Sequence, residues 1–463
     1  VPRTQAWLEI LAALACEQAT LGLIPQAAAD EIARKADVTL LDFDRIRHGY
    51  HATSHSTLGL IHELQRVLSP EAGEWVYFGA TVQDVTDTWT SLALKRVAEI
   101  AYRDLRALEA CLLDDAQRHR DTLMPGRTHG QIGLPITFGF KCAVIASEVR
   151  RHLERLKEIA PRIAVGQLAG GVGSVSSYGD KGLALLSRFC ARLDLNVPDI
   201  SWDTARDGVA EFGNWCAMVA ATLAKIGNEI YSLQRPEINE VEEPFEMGRV
   251  GSITMPHKRN PEFSEQIVTL ARIMRYNAAL LTEGMLQEHE RDARAWKAEW
   301  LAVPQLCLSL GKALALTRGM LDGLVVKGDA MRRNLDLTKG YVLSEAVMLA
   351  LAEHVGKQSA HRMVYELAMH GVEHGLTFKQ ALLAEPQVTS RLSEQAIDAL
   401  LDYRAHIGQI PDMIARVCEH AAEARTGEHD ILYSQHSPVL RHHLYLTTDA
   451  WGQVATSDAV VGA

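Results

Sequence analysis

Apolar residues repeat at three- and four-residue spacing along unusually long stretches of this chain. In EFGNWCAMVAATLAKIGNEIYSLQR, which covers residues 211–235, Phe212, Trp215 and Val219 share one helical face. The same spacing runs from residue 262 to about 290. Both stretches are longer than a typical globular helix, so the pattern predicts a bundle of long helices packed side by side.

Further long helices are predicted at roughly 86–118, 137–158 and 302–323, and no sustained period-2 alternation is present. Aromatic residues make up only 6% of the 463 residues, which favours helix-on-helix packing over sheet packing. The hydrophobic fraction of 47% is enough for a large core. The predicted fold class is therefore all-α.

Charge and cysteine usage exclude several function classes. The net charge of −11 argues against a nucleic-acid-binding surface. The seven cysteines are dispersed and form no C-x-x-C pair, which is typical of reduced thiols in a cytoplasmic protein. No apolar run of membrane-spanning length and no signal peptide are apparent. Because the chain starts at Val1 in or just before a helix, we expect further residues to precede it.

Four stretches rich in Gly, Thr, Ser or Pro interrupt the helices. They are FGATVQDVTDT (78–88), MPGRTHGQIGLP (124–135), GQLAGGVGSVSSYGD (166–180) and GRVGSITMPHKRNP (248–261). Composition changes near residue 335, where shorter helices and then a tail follow. The predicted domains are an N-terminal helical domain (1–100), a central long-helix domain (101–335) and a C-terminal helical domain with the tail (336–463).

The stretch 248–261 carries the densest mixture of chemical groups. Gly248 and Gly251 allow backbone amides to approach a ligand closely. Asn260, followed by Pro and Glu, predicts a helix start, and a helix N-terminus favours anions. With the positive charge of Lys258, the stretch predicts a carboxylate clamp on a mobile loop. On spacing alone, an ordinary surface loop with a helix cap is the favoured interpretation.

The run GSITMPHKRNP closely resembles the signature of the fumarase/aspartase superfamily, G-S-S-x-M-P-x-K-x-N-P. Ile253 replaces the second serine of that signature, whereas Ser252 matches the serine that acts as the base. The resemblance extends over nearly the whole chain. It implies an all-helical, three-domain fold and a homotetramer with a central helical bundle, in which each active site draws on three subunits.

The resemblance also assigns roles to residues outside the loop. GRTHG places His129 where adenylosuccinate lyases have their general acid, and Glu265 matches the glutamate that orients this histidine. The serine that usually follows Thr81 is replaced by Val82. The residues that the resemblance assigns to substrate binding are His55, Thr81, Gln83, Thr128, Gln131, Lys258, Asn260 and Arg291.

Two reactions compete for this site. His129 and Glu265 favour elimination of a nitrogen group from an N-substituted aspartate or another 2-substituted succinate, with release of fumarate. HERDARAWKAEWLAVP and the C-terminal segments resemble the 3-carboxy-cis,cis-muconate cycloisomerase branch most closely, so lactone formation is the alternative. A lyase retained only as a structural protein is a third possibility, which the intact polar loops make improbable.

The substrate and cofactor requirements follow from the same resemblance. Trp296, Glu299 and Trp300 stand where adenylosuccinate lyases handle the nucleotide phosphate, so we expect a smaller or non-nucleotide leaving group on a dicarboxylate. No metal and no organic cofactor are expected. The tail histidines His436, His442 and His443 fit no closed metal site and are interpreted as non-catalytic.

Overall fold

Helices dominate the computed structural model, which describes residues 2–245, 254–255, 257–428 and 432–433. About 70% of the protein is helical and sheet is nearly absent, which confirms the predicted all-α class. The helices are α1 (Pro2–Thr20), α2 (Gln26–Lys35), α3 (Phe43–Thr53), α4 (Leu58–Val67), α5 (Pro70–Gly73), α6 (Val82–Arg118), α7 (Phe138–Ile163), α8 (Gly182–Arg192), α9 (Asp207–Leu233), α10 (Glu262–Glu283), α11 (Ala293–Asp322), α12 (Gly328–Asp336), α13 (Ser344–Val355), α14 (Lys357–Glu373), α15 (Phe378–Ala384), α16 (Pro386–Thr389), α17 (Glu394–Leu400) and α18 (Ile410–Thr426).

Five long helices form the body of the protein. α6 packs along α7, α9 packs along α10, and α10 packs along α11. The sequence located all five, but several of their ends differ. α6 begins at Val82 rather than 86, and α7 ends at Ile163 rather than 158. α10 ends at Glu283 rather than near 290, where Gly284 follows as the C-cap. α11 begins at Ala293 rather than 302, because Asp292 caps it and the helix continues through Pro304.

Short strands occur at two places where none was predicted. β1 (Leu123–Thr128) and β2 (Gln131–Thr137) form an antiparallel hairpin, and β3 (Val241–Glu242) pairs with β4 (Val325–Val326). The hairpin contains Pro125 opposite Pro135 and an irregularity before Arg127. These short, proline-containing strands lack the alternation that identifies a strand in sequence.

Buried apolar side chains form three main clusters. The largest lies among α6, α7 and α9–α11. A second joins α1–α5 and the start of α6 to residues 164–195, and a third lies among α13–α17. The predicted domain boundaries near 100 and 335 remain predictions, but α6 itself contributes side chains to both of the first two clusters. The seven cysteines are free thiols.

One helix of the described residues, α11, is long and apolar enough to cross a membrane by length and composition. The expectation that no apolar run reaches that length is therefore wrong. Half of the most apolar stretch of α11 is buried inside the protein. A core helix of this kind passes the same test, so the finding is weak evidence for a membrane span.

Candidate active site

Three of the predicted substrate-binding residues meet around one guanidinium. Arg291 donates from Nε to the side-chain oxygen of Gln83 (2.9 Å) and from Nη1 to the hydroxyl of Thr81 (3.2 Å). Its Nη2 donates to the carbonyl of Gly170 (3.2 Å) and lies 3.8 Å from Asp203. A guanidinium has five N–H donors, so donors remain for a ligand carboxylate. We name this group, with Asp84, the arginine cluster.

Asp84 holds the loops of the arginine cluster together. Its carboxylate accepts hydrogen bonds from the backbone amides of Thr81 (2.8 Å), Ala169 (2.7 Å) and Gly170 (3.2 Å). It is almost completely buried. Burial raises the pKa of Asp84 to about 7, although these amide donors oppose the shift. Asp84 therefore joins the start of α6 to the glycine-rich connection and fixes the position of Thr81.

The backbone leading into Thr81 is strained. Tyr77 has a φ of 64° and Gly79 a φ of 73°. A side chain at position 79 would meet the ring of Tyr178 at 2.5 Å, so only glycine fits there. Non-glycine residues in the left-handed region cluster at functional sites. Burial also raises the pKa of the Tyr77 hydroxyl, which keeps this residue a neutral hydrogen-bonding group.

His129 lies at the tip of the β1–β2 hairpin. His129 (φ 53°) and Gly130 (φ 75°) form the two-residue turn between the paired residues Thr128 and Gln131. Left-handed φ values at both positions are typical of a type I′ turn. All four residues are exposed, so the tip presents the histidine, a hydroxyl and an amide outward.

A buried carboxylate anchors this hairpin close to its tip. Arg127 donates from both terminal nitrogens to Glu240 (2.9 and 2.6 Å), and Asn334 donates to the same carboxylate (2.7 Å). Glu240 is completely buried. A bidentate ion pair, a geometry of high directional specificity, thus holds the hairpin that carries Thr128 and His129 against the segment before β3, and Asn334 of α12 shares the same carboxylate.

The N-terminus of α10 differs from the predicted anion site. Glu243 accepts hydrogen bonds from the backbone amides of Phe263 (3.0 Å) and Ser264 (2.9 Å) and from the Ser264 hydroxyl (2.6 Å). The cap position is Pro261, which makes no side-chain cap hydrogen bond, so the prediction of Asn260 as the cap is wrong. A carboxylate of the protein itself therefore takes the place predicted for a substrate carboxylate.

The remaining residues of the predicted clamp lie beside this helix start. Lys258 is exposed and Asn260 is partly buried. Residues 246–253, which include Ser252, lie outside the described residues. The roles of Ser252, Lys258 and Asn260 therefore stay predictions.

His55 lies in the turn between α3 and α4. The backbone amide of Leu58 donates to its Nδ1 (3.2 Å), so His55 helps to satisfy the start of α4. A ring nitrogen that accepts carries no proton, which leaves the proton on Nε2. His55 is exposed, and in this tautomer its Nε2 can donate a hydrogen bond to a ligand.

His129 and Glu265, predicted to act as a pair, are not joined within one chain. Both are exposed, and no hydrogen bond or ion pair among the residues of the structure links them. His129 and Glu265 can therefore pair only if they come from different subunits or if the chain rearranges. The arginine cluster is also not linked to the hairpin tip by any hydrogen bond within the described ranges.

A second buried ion-pair network lies one turn further along α6. Arg206 donates to Asp87 (2.7 Å) and to Glu299 (2.8 Å), and the indole N–H of Trp296 donates to Asp87 (3.0 Å). Burial raises the pKa of Glu299, against the opposing effect of Arg206. Glu299 stands where adenylosuccinate lyases handle the nucleotide phosphate. Here its carboxylate is bound by the buried Arg206 instead.

An aromatic cavity of about 110 Å³ adjoins this network. Its walls include Trp7 from α1, Trp89 from α6, and Trp296 and Trp300 from α11. Ser56, next to His55, and two threonines of α6 also line the cavity. We name this space the tryptophan cavity. Within the described ranges, no group of three or more His, Cys, Asp or Glu residues is arranged to hold a metal ion.

Sequence reasoning missed several residues that shape the site. Asp84 was within reach, because Thr81 followed three residues later by an acidic residue is the pattern of a capping box. Asp203, Gly170 and Glu243 had no local signal, since each acts on a residue far away in the sequence.

Comparisons with known proteins agree with this architecture. A family model described as "Lyase" matches residues 3–274, and one described as "Adenylosuccinate lyase C-terminus" matches residues 340–417. The N-acetyl-S-(2-succino)cysteine lyase of Dickeya dadantii is 42% identical over 89% of this chain and 91% of its own length. The enzyme of that name from Enterococcus italicus is 42% identical over 89% of this chain and 90% of its own length.

The fold also matches solved structures. The 3-carboxy-cis,cis-muconate lactonizing enzyme of Pseudomonas putida superposes with a TM-score of 0.86 at 34% sequence identity. The match covers 91% of this chain and 94% of the other. The similarity thus spans all three clusters of the fold.

Proposed function

The chain belongs to the lyase family of the fumarase/aspartase superfamily, and on that premise we propose that it eliminates the substituent from a 2-substituted succinate and releases fumarate. The arginine cluster carries the proposal. It presents spare guanidinium donors beside the Thr81 hydroxyl and the Gln83 amide, which suits one carboxylate of a succinyl group.

Ser252 is the proposed base. It removes the proton from the carbon next to a carboxylate, and charge develops on that carboxylate as an aci-carboxylate. Serine is a poor base in water, so it needs positive potential, for which Lys258 and His257 are predicted sources. Fixed donors aimed at the developing charge are usually the largest catalytic term.

His129 is the proposed acid. It delivers a proton to the leaving group while Glu265 orients its ring, as the sequence predicts. Because a single chain leaves both side chains exposed and apart, this half of the reaction requires contributions from different subunits. Thr128, Gln131 and His55, each exposed with a donor available, are proposed to hold the rest of the substrate.

A homotetramer with shared sites is part of the proposal. Three apolar side chains of α10, Ile273, Tyr276 and Leu280, are exposed at three- and four-residue spacing. α11 likewise exposes Leu301 and Leu308. Exposed apolar stripes on adjacent helices are typical of surfaces that are covered in an assembly.

The predicted leaving atom is nitrogen, and sulfur is a specific second candidate. Two relatives that share 42% of their residues with this chain are named for a succinylated cysteine. A thiol has a pKa of about 8.5 and leaves with less help from an acid than an amine does. Lactone formation, the alternative from the cycloisomerase branch, uses the same fold.

One panel separates these reactions. We expect ultraviolet absorbance to report fumarate from N-substituted aspartates, from S-(2-succino) thioethers, or from both. 3-Carboxymuconate should be left unchanged. Lactone formation from it without fumarate release from any succinate would replace the proposal with the cycloisomerase reaction.

A further inference from the structure

Gln83 and Arg291 differ in whether a ligand can reach them. The Arg291 side chain is 30% exposed, whereas Gln83 is 1% exposed. Contacts with other subunits could only reduce these fractions. Gln83, which the sequence assigns to substrate binding, therefore has no surface in this structure on which a substrate carboxylate could rest.

The Gln83 side chain uses both ends of its amide inside the protein. Its nitrogen donates to the backbone carbonyl of Asp203 (2.7 Å), and its oxygen accepts from Nε of Arg291 (2.9 Å). The opposite orientation would place the NH2 group against the N–H of Arg291 and the oxygen against a carbonyl, so only one orientation satisfies both contacts. The Asp203 carbonyl thus determines that an acceptor faces Arg291.

Asp203 also faces Arg291 with its carboxylate. One carboxylate oxygen accepts from Nε2 of Gln167 (2.7 Å). The other accepts from the Ser201 hydroxyl (3.0 Å) and lies 3.8 Å from Nη2 of Arg291. At 3.8 Å the two charges attract each other without a hydrogen bond, so this contact uses no N–H of the guanidinium.

The segment that carries Asp203 is itself fixed to two helices. Arg206, which follows in the same segment, donates to Asp87 of α6 (2.7 Å) and to Glu299 of α11 (2.8 Å). Its side chain is completely buried. Because α6 and α11 hold this segment, the carbonyl and the carboxylate of Asp203 offer Arg291 partners in fixed positions.

The remaining donors of Arg291 suit a carboxylate. Nη1 donates to the Thr81 hydroxyl and Nη2 to the Gly170 carbonyl, so each terminal nitrogen uses one of its two N–H groups in these hydrogen bonds. The other N–H on each nitrogen is left for a ligand, and a carboxylate can accept from both nitrogens at once. Such a bidentate contact is sensitive to a small rotation of the guanidinium.

We propose that Gln83 and Asp203 are positioning residues that fix the guanidinium of Arg291 for a substrate carboxylate and do not themselves touch the substrate. This inference rests on the proposed function, because it assumes that Arg291 binds the succinyl half. For Gln83 it replaces the direct substrate contact that the sequence predicts.

A double-mutant cycle tests whether Gln83 acts through Arg291. Gln83→Leu should lower kcat/KM about 10–100-fold when Arg291 is present, and calorimetric titration with fumarate should show weaker binding. In the Arg291→Gln background the same change should cost less than about twofold, because no guanidinium remains to be positioned. Equal losses in the two backgrounds would overturn the proposal, since Gln83 would then act independently of Arg291.

Gln5→Leu is the matched control for loss of a buried amide. The Gln5 amide donates to the backbone carbonyl of Ala36 (3.0 Å) and accepts from the backbone amide of Val38 (2.8 Å). Thermal unfolding is measured for both variants, and Gln5→Leu should keep kcat/KM within about twofold of wild type. A loss as large as that of Gln83→Leu would assign the effect to general destabilisation and overturn the proposal.

Asp203→Asn is a smaller change that keeps the proposal testable if Gln83→Leu does not fold. It retains the backbone carbonyl that orients Gln83 and removes only the negative charge near Nη2 of Arg291. It should lower kcat/KM about 2–10-fold, and by less than about twofold in the Arg291→Gln background. The same loss in both backgrounds would overturn the proposal for Asp203.

Binding of fumarate separates this inference from the proposed function. If no 2-substituted succinate yields fumarate, while Gln83→Leu weakens fumarate binding only when Arg291 is present, the proposed function fails and the positioning role stands. If fumarate is released, but Gln83→Leu costs the same with and without Arg291, the positioning role fails alone.

Discussion

The arginine cluster and the hairpin tip differ in how far one chain completes them. Arg291 already donates hydrogen bonds to the side chains of Thr81 and Gln83 at the start of α6 and to the backbone carbonyl of Gly170 in the glycine-rich connection. At the tip, His129 is exposed, and Glu265 on α10 is exposed elsewhere. The proposed substrate-binding half is thus preorganised within one chain, whereas one chain does not bring the two residues of the proposed proton-transfer half together.

The largest expected effect tests the base. Ser252→Ala should lower kcat about 10⁴-fold or more, because the variant cannot take the proton. Fumarate release and the thermal unfolding temperature are measured together, and the fold and oligomer should be unchanged. If the variant kept a tenth or more of wild-type activity, the assignment of Ser252 as the base would be wrong.

His129→Asn should produce a loss that depends on the leaving group. For amine substrates we expect a loss of about 10²–10⁴-fold, since an acid must protonate the departing nitrogen. Thioether substrates should lose less. The exposed His370→Asn serves as the control. Equal losses across a series of leaving groups would argue against an acid role.

Arg291→Gln disrupts the arginine cluster, which is the preorganised half of the proposed site. It removes the donors to Thr81 and Gln83, and kcat/KM should fall about 10²–10³-fold. Arg294→Gln, a change at an exposed arginine nearby, should have little effect. Similar losses in both variants would show that charge in this region matters rather than the cluster geometry.

Hybrid assemblies address the difference between the two halves directly. Co-expressed His129→Asn and Arg291→Gln chains should recover up to about a quarter of wild-type activity if the residues of one site come from different subunits. Separately purified variants, mixed without exchange of subunits, are the control. Recovery absent from verified hybrids would place both residues in the same chain's site.

The smallest expected effect concerns Asp84 and pH. Its pKa is raised from 3.8 to about 7, with Asp203, Tyr77 and Arg291 as the facing groups. From pH 4 to 7 the unfolded chain ionises while the folded carboxyl keeps its proton, so stability falls as pH rises through this window.

Asp84→Asn lacks this titration. As the pH is raised from 4 to 8, the unfolding temperature of the variant should therefore rise by about 1–3 °C relative to that of wild type. Thermal unfolding across the pH series measures the difference. A constant difference at every pH would mean that Asp84 is ionised throughout and that its amide donors outweigh burial.

Sequence reasoning succeeded where the signal is local. The spacing of Phe212, Trp215 and Val219 located α9, and the same reasoning located α6, α7, α10 and α11. It failed at the hairpin, because both strands are short, contain a proline (Pro125 and Pro135) and lack the alternation of apolar and polar residues that identifies a strand. It also failed at the start of α10, where the pattern Asn-Pro-Glu predicted a cap that Glu243 supplies instead.

The sequence by itself determined the helical class, the family and the residues most worth testing, because periodicity and motif spacing are properties of neighbouring residues. Only the tertiary structure decided which of them meet. Arg291 donates to Thr81, which lies 210 positions away in the chain. Glu243 accepts hydrogen bonds at the N-terminus of α10, where the sequence predicted a ligand carboxylate. Such contacts depend on how α6, α10 and α11 pack, and packing is set by the whole core rather than by any local pattern.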